Sequence, residues 1–539
     1  MYGLTPCIPF FMTINKHLLK AQQNLRNGAY AKAIEILDKH LKLYPTDISG
    51  LMIRGEAYLR SEQFESALTD YAKVVESDNK NILALNNFSL ALIRCGKPHE
   101  AKDVIAYVHE LDPKNFPAYI NLGNIHQALG EYQEAVNSAL QAVQLDPKAA
   151  LAYLNLGTSL GSLGLREDSK QAYLMAEFLD PSSVFTKINL AQIEEKCENR
   201  NEAKLIYENV LKLKNITPLE SELVKYYLSY IYLFQGNLES GWIFYDFGFG
   251  SLLPASSLRS ARKFTQPKWQ GQAVTGTLLV WREQGLGDEI VFSTCLFDVY
   301  SLFTNVILEC EPRLVQAYQR TFPKWQIRPE SVTSDKYPLT NDFDVHIPIG
   351  SLPGLFRKNI NNFKNENSLF TSSSSLKEKF AKRLQPYKDK ILVGISWRGG
   401  LLTILRNDNY TSILDWKEIL TLPNCQFVNL QYGDCEAELI EAENLFGISI
   451  LRWADLDLKN DLESVMGLVS NLNHIVSVGT AISTIAPALG VHTILLTRPS
   501  WLMLGERDRF PWFDCVTPLV TQGDEIVASK LKSVPALLI

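Results

Sequence analysis

Tyr119-Ile-Asn-Leu-Gly123 and Tyr153-Leu-Asn-Leu-Gly157 stand 34 residues apart, and Lys187-Ile-Asn-Leu-Ala191 follows after another 34. Leu85-Asn-Asn-Phe-Ser89 precedes them at the same step. Working outward, that step also links Pro45, Asn79, Pro113, Pro147 and Pro181, and it links Ala33, Ala67, Ala101, Ala135, Ser169 and Ala203. Three registers that agree over six units define an internal repeat covering about 14–217, preceded by an N-terminal extension, 1–13. The patterned sequence begins just after Met12, which makes Met12 an alternative start to Met1.

Each unit pairs two small residues twelve positions apart, such as Gly55 and Ala67, Gly123 and Ala135, or Gly157 and Ser169. Small residues let helix axes approach, and a proline that cannot continue a helix closes the unit. This pattern resembles the tetratricopeptide repeat, which implies an α-solenoid of helix pairs with a protein-binding groove. An incomplete seventh unit runs from Glu220 through Gly236 and Trp242 to Phe247, and a connector completes 218–274. Asn87, Asn121, Asn155 and Asn189 recur at one register. Side-chain amides donate to and accept from an extended peptide backbone without reading its sequence. Resemblance to the repeat domain of protein O-glycosyltransferases implies this acceptor-holding role, and support of helix packing is the alternative.

From about 275 the period changes. Seven β-rich runs alternate with helical stretches: 277–282, 305–309, 343–347, 391–396, 426–430, 474–478 and 492–497. Alternation of this kind implies parallel sheets in a doubly wound α/β fold. The Asn-, Ser- and Lys-rich segment 359–375 reads as a linker dividing the region into halves, 275–375 with that linker and 376–539. The order of Gln266-Pro-Lys-Trp269, Glu283–Phe292, Val393–Arg398, Phe427–Tyr432, Ser477–Ala481, Ala488-Leu-Gly490 and Pro511-Trp-Phe513 resembles bacterial tetratricopeptide proteins carrying a heptosyltransferase-like glycosyltransferase domain. The resemblance implies a GT-B fold of two Rossmann-like halves, the second binding the donor.

Gly285-Leu-Gly-Asp288 follows the first strand and opens a helix. Its glycines permit a tight turn and close approach of a ligand. Inverting sugar transfer needs a carboxylate to take the acceptor's proton. The matching aspartate of heptosyltransferases makes Asp288 the expected base, with Glu289 in reserve; an N-cap is the other role open to Asp288. For the donor diphosphate the candidates are Gly285, Gly287 and the loop Trp397, Arg398 and Gly399, where Arg398 would grip phosphate in bidentate fashion. Arg406 lies farther along this loop, as a phosphate ligand or as a surface cation. Gly479, Thr480, Ala481 and Ser483 join a strand to a helix whose positive end would attract an anion. Gln431 is placed near the nucleoside by resemblance alone. The chain departs from heptosyltransferases, which show Asp-Thr-Gly and a nearby histidine, where this chain has Gly479-Thr-Ala481 and Thr484. Either the donor differs or donor binding is lost. His474 and His492 read as structural residues at strand starts.

The pairs Asp342-Phe-Asp344 and Asp455-Leu-Asp457 match the short D-x-D of metal-dependent enzymes, yet no nucleotide-binding loop follows the first, and both read as surface acids. No metal or cofactor is expected, only a nucleotide sugar as substrate. With 53 basic and 59 acidic side chains, the net charge of −6 argues against a nucleic-acid partner. No apolar run reaches the roughly 20 residues that span a bilayer, and eight scattered cysteines without a Cys-x-x-Cys pair suit a cytoplasmic protein. Composition, 46% hydrophobic and 21% charged over 539 residues, is that of a folded multidomain chain.

Three functions follow. The first is a metal-independent, inverting protein O-glycosyltransferase acting on a polypeptide in the repeat groove; the resemblance makes flagellin or a surface protein plausible acceptors. The second is a non-catalytic interaction scaffold with a degenerate transferase domain. The third is a glycan or lipopolysaccharide-core transferase.

Overall fold

The computed structural model describes residues 8–214, 216–249, 262, 264–273, 275–330, 342–363, 368–399, 409–523 and 525–538, with side chains from 16 onward. It divides into two compact units, 1–203 and 204–539.

The first unit is a run of helix pairs. Its first helices begin at Ile48, Ile82, Phe116, Ala150 and Val184, and its second helices at Tyr30, Phe64, Pro98, Tyr132, Arg166 and Arg200, each start 34 residues after the last. Local chemistry repeats with the same step. Asp47, Asn81, Asn115 and Ser183 precede the first helices and accept a backbone N–H three residues on, which satisfies one of the unpaired donors of a helix start. The turn inside each pair needs one left-handed residue, at Gly28, Glu62, Gly96, Gly130, Gly164 and Glu198, with φ between 62° and 88°. Glycine adopts that conformation freely, and the two glutamates hold it at a steric cost.

The helix crossings explain the small residues. A methyl group on Gly157 would lie 2.6 Å from the Tyr173 ring, and one on Gly55 would lie 2.8 Å from Tyr71. Gly123 differs, its nearest neighbour being the Ala135 carbonyl at 3.8 Å.

The second unit contains the last helical pair, Pro218–Phe234 and Leu238–Tyr245, and two parallel sheets. The first sheet holds β1 (Thr277–Trp281), β2 (Asn305–Cys310), β3 (Gln326–Pro329) and β4 (Val345–Pro348) in the order β3-β2-β1-β4. The second holds β5 (Ile391–Ser396), β6 (Cys425–Asn429), β7 (Ile450–Leu451), β8 (His474–Val478), β9 (His492–Thr497) and β10 (Val516–Val520) in the order β10-β9-β8-β5-β6-β7. This second order is the doubly wound 3-2-1-4-5-6 arrangement read from its other edge. The expected strands at 391–396, 474–478 and 492–497 coincide with β5, β8 and β9; β3, β7 and β10 were not anticipated.

The compact division falls after Ala203, within the helix Arg200–Val210, and the last helical pair packs into the α/β module of the second unit. The Trp242 ring meets Phe292 at 6.4 Å and Trp512 at 6.1 Å between centroids, and its indole N–H donates to the Arg357 carbonyl at 3.0 Å. A Cβ on Gly505 would lie 2.9 Å from Gly236 Cα, so backbone approaches backbone there. Aromatic burial of this kind dominates packing energetics.

Candidate functional site

In both sheets the strand order reverses, between β1 and β4 and between β5 and β8. Ligands of doubly wound sheets bind beyond the carboxyl ends of the strands at such points. The loop after β1 leads into the helix Leu286–Phe292, and the loop after β8 leads into the helix Ile482–Ala488. These two elements meet: a methyl on Gly287 would lie 3.7 Å from Thr484 Oγ1. Two segments nearly two hundred residues apart in sequence thus form opposite walls of one crevice. Two adjoining hollows, about 580 and 260 Å³, share Tyr432, Leu458 and Lys459. The smaller is walled by Leu286 and Arg313 from the first half and by Ala481, Ile482 and Ile485 from the second.

Asp288 sits three residues past Gly285, the N-cap, and that cap carries no side-chain hydrogen bond. Asp288 therefore does not cap its helix. It is half-buried, forms no hydrogen bond or ion pair among the described residues, and has its pKa pushed up to about 6 by burial and by the neighbouring Glu283 carboxylate. Glu283 itself accepts the Gly350 N–H at 2.9 Å. Glu289 is different in kind: it is fully buried, accepts Arg282 Nε at 2.7 Å, and takes the Glu311 N–H at 3.0 Å. Arg282 continues to Glu330 at 2.7 Å and Glu311 at 3.2 Å. The Glu289 carboxylate is thus held inside a structural ion network, and the reserve role expected for it is corrected.

The expected donor residues divide. Ser396 Oγ and Thr480 Oγ1 approach to 3.4 Å across the β5/β8 reversal, and Ser477 Oγ lies 3.1 Å from Thr480. Ser483 Oγ donates to the Thr480 carbonyl at 2.7 Å, tightening the turn. Ala481 lines the crevice, and Gly479 has open space where a side chain would stand. Gln431 also borders the larger hollow, but its side-chain oxygen accepts the N–H groups of Trp397 at 3.1 Å and Arg398 at 3.0 Å, and its amide donates to the Tyr432 carbonyl. Its amide therefore braces the loop after β5. Trp397 is fully buried, with its indole N–H on Glu438 at 2.7 Å. Arg398 donates from Nε to both Glu438 oxygens and from Nη2 to the Asp434 carbonyl. Its fork already grips a carboxylate, the geometry expected for phosphate. Gly399 is explained by packing, since a Cβ there would fall 2.1 Å from the Tyr410 hydroxyl oxygen. Arg406 lies outside the described residues.

Both D-x-D pairs are engaged internally. Asp342 pairs with Arg328 and Asp344 accepts the Thr277 N–H, while Asp455 pairs with Arg383 and Asp457 accepts the Lys459 and Asn460 N–H groups. His474 and His492 begin β8 and β9 and face each other. Two cations were not anticipated. Lys459 is exposed, borders both hollows and has no ion pair among the described residues. Arg313 lines the smaller hollow while bound to Glu311 and to the Lys459 carbonyl. Neither lies in a glycine-rich loop, the signal that sequence reading follows.

In the repeats the four asparagines differ. Asn121 is buried, and its amide donates to the Asn86 carbonyl at 3.0 Å and to Ser89 Oγ at 3.1 Å, within the helix packing. Asn155 Nδ2 is buried without a hydrogen-bond partner among the described residues. Asn87 and Asn189 are half-buried, and Asn87 lines a hollow of its own.

A TPR repeat family model matches residues 123–164. Protein FlbA of Caulobacter vibrioides is 28% identical over 322 residues, which cover 57% of this chain and 53% of that protein. The chain thus spans about half the length of the curated relative it matches. Among solved structures, the chain is similar to TTC0263, a thermophilic TPR protein in Thermus thermophilus (19% identity, TM-score 0.31, 33% of this chain and 98% of that one). It is also similar to MamA (24%, TM-score 0.26, 29% and 92%) and to the human IFIT1 dimer (14%, TM-score 0.38, 43% and 57%). The chain carries tetratricopeptide repeats, an element of protein-interaction scaffolds. No helix among the described residues is long and apolar enough to cross a membrane.

Proposed function

We propose that the paired α/β halves form a GT-B-type glycosyltransferase that moves a sugar from a nucleotide-sugar donor to a polypeptide acceptor engaged by the repeats. One observation carries this reading: Asp288 is a half-buried carboxylate without a partner among the described residues, at a strand-order reversal, on the helix whose Gly287 approaches Thr484 of the second doubly wound sheet. A pKa of about 6 leaves Asp288 mostly ionised at neutral pH yet basic enough to accept a proton. In the step proposed, Asp288 takes the proton of a Ser or Thr hydroxyl. The hydroxyl oxygen bonds the anomeric carbon as the bond from that carbon to the diphosphate breaks. The diphosphate leaves with its charge balanced by Lys459 and Arg313, positioned as cations rather than as proton donors. Joining acceptor-binding repeats to the transferase in one chain raises the acceptor's effective concentration.

The test is a thermal-shift screen against UDP-, GDP-, ADP- and CMP-linked sugars, followed by transfer assays with the donor found and with peptide and glycan acceptors. A donor at 100 times its Kd adds about 2.7 kcal/mol of stability. Stabilisation by one nucleotide sugar and peptide transfer abolished in Asp288→Asn support the reading. Undiminished transfer by folded Asp288→Asn overturns the role of Asp288, and transfer to glycan alone overturns the peptide acceptor. A second reading, a scaffold without catalysis, is favoured by the closure of Arg398 onto Glu438 and of Gln431 onto the backbone. It predicts partner binding with no turnover, and any measurable transfer overturns it.

A further inference from the structure

Arg26, Arg60 and Arg94 end the helices Ile8–Arg26, Ile48–Arg60 and Ile82–Arg94, 34 residues from one another and so at one register of the repeat. All three are exposed. Arg60 pairs with Glu56 on its own helix at 2.9 Å. The Arg94 guanidinium lies over the Phe64 ring at 5.7 Å, and neither Arg94 nor Arg26 has a carboxylate partner among the described residues. Two hollows of about 500 and 480 Å³ meet at Glu56 and Arg60 and carry the other two arginines at their rims. The larger contains Phe64, Leu83 and Leu90, with Asn87 beside the fully buried Tyr71.

We infer that this surface docks an extended polypeptide segment bearing acidic side chains. Its carboxylates sit over the arginine row in fork geometry, which guanidinium matches better than ammonium. Its backbone meets the Asn87 amide, and an apolar side chain enters beside Leu83 and Phe64. A peptide fits better than a nucleic acid because Glu56 and Glu62 line the same hollow. A peptide leaves neutral residues opposite those carboxylates, whereas a phosphate backbone brings a charge with every nucleotide. This inference deepens the acceptor side of the proposed transferase but rests on the repeats alone, and it holds equally for a scaffold without catalysis.

The test measures fluorescence anisotropy with the full chain and no nucleotide sugar, so its outcome is separate from that of the transfer assay. The probes are a short labelled peptide of Glu, Leu and Ser, the same peptide with Gln for every Glu, and a single-stranded RNA of equal length. The acidic peptide is expected to bind at least about tenfold tighter than its Gln counterpart, with affinity falling as salt rises. The double variant Arg26→Glu/Arg94→Glu, changed only at exposed helix ends, is expected to lose at least about tenfold in affinity while its thermal melt stays unchanged. Ala128→Arg, exposed at the same register one unit on, is expected to tighten binding by extending the row. Equal binding of the two peptides, unchanged affinity in the double variant, or RNA displacing the acidic peptide would each overturn the inference.

Discussion

Arg398 is clasped by Glu438, with Nε donating to the two carboxylate oxygens at 3.0 and 3.2 Å. The same carboxylate accepts the buried indole N–H of Trp397 at 2.7 Å. Burial pushes the Glu438 pKa upward, but the bonds from Arg398 and Trp397 and the arginine's charge hold it below the usual range. Its stabilising contribution is therefore present above the unfolded carboxylate pKa and is lost as pH falls through the lower folded value. Glu438→Ala is expected to cost about 1–2 kcal/mol in urea unfolding, since it orphans a buried indole donor. If freed Arg398 serves phosphate, the milder Glu438→Gln will also raise nucleotide affinity. Unchanged affinity would leave Arg398 a purely structural residue.

Asp288 carries the opposite sign. A carboxyl raised to about 6 holds its proton more tightly when folded, so stability declines as pH rises between about 4 and 6. Asp288→Asn is expected to stabilise the protein at pH 7 by roughly 1–3 kcal/mol. As a general base, the same residue predicts that the variant loses about 10²–10⁴ in transfer rate and that wild-type kcat/KM falls below about pH 6. A variant both less stable and fully active would contradict both assignments.

His474 Nδ1 and His492 Nδ1 lie 2.8 Å apart, and His492 Nε2 meets Thr517 Oγ1 at 2.9 Å. Burial lowers both pKa values, and the charge of His492 adds to the effect at His474. The neutral pair is thus favoured by folding, and stability is lost as pH drops below the ordinary histidine value of about 6.5. Thermal melts from pH 7.5 to 5 should show a steeper decline for wild type than for His492→Gln; parallel slopes would refute the coupling.

Gly157 and Gly123, both at helix crossings, make a matched pair. Gly157→Ala drives a methyl into Tyr173 and is expected to cost about 1–3 kcal/mol. Gly123→Ala meets nothing closer than 3.8 Å and is expected to be neutral or to stabilise by up to about 1 kcal/mol through helix propensity. Equal effects would mean that the crossing distance does not govern this site.

Glu62 and Glu198 hold φ values of 62° and 65° at the position glycine fills in the neighbouring repeats. Relief of that backbone cost predicts that Glu62→Gly and Glu198→Gly each raise stability, by up to about 1 kcal/mol. Loss of stability on both substitutions would show that the glutamate side chains matter more than the backbone.

Much of this fold is legible in the sequence. The 34-residue step of Ala33 through Ala203 predicts the helix pairs because a helix registers its contacts locally, within a few turns and one neighbour. The runs at 391–396, 474–478 and 492–497 are strands because an interior parallel strand reads as a continuous apolar segment. The strands β3, β7 and β10 carry no such sequence signal because they are short or at sheet edges, where half-burial dilutes it. Residue type alone marked Asp288, Arg398, Gln431 and the four asparagines as alike in availability. Only tertiary structure decided that Arg398 and Gln431 are held within the fold, that Asn121 serves helix packing, and that Asp288 has no partner among the described residues. Lys459 likewise lines the crevice through long-range folding that no spacing encodes. Periodicity is a property of neighbours along the chain. The availability of a side chain depends on what long-range folding brings against it.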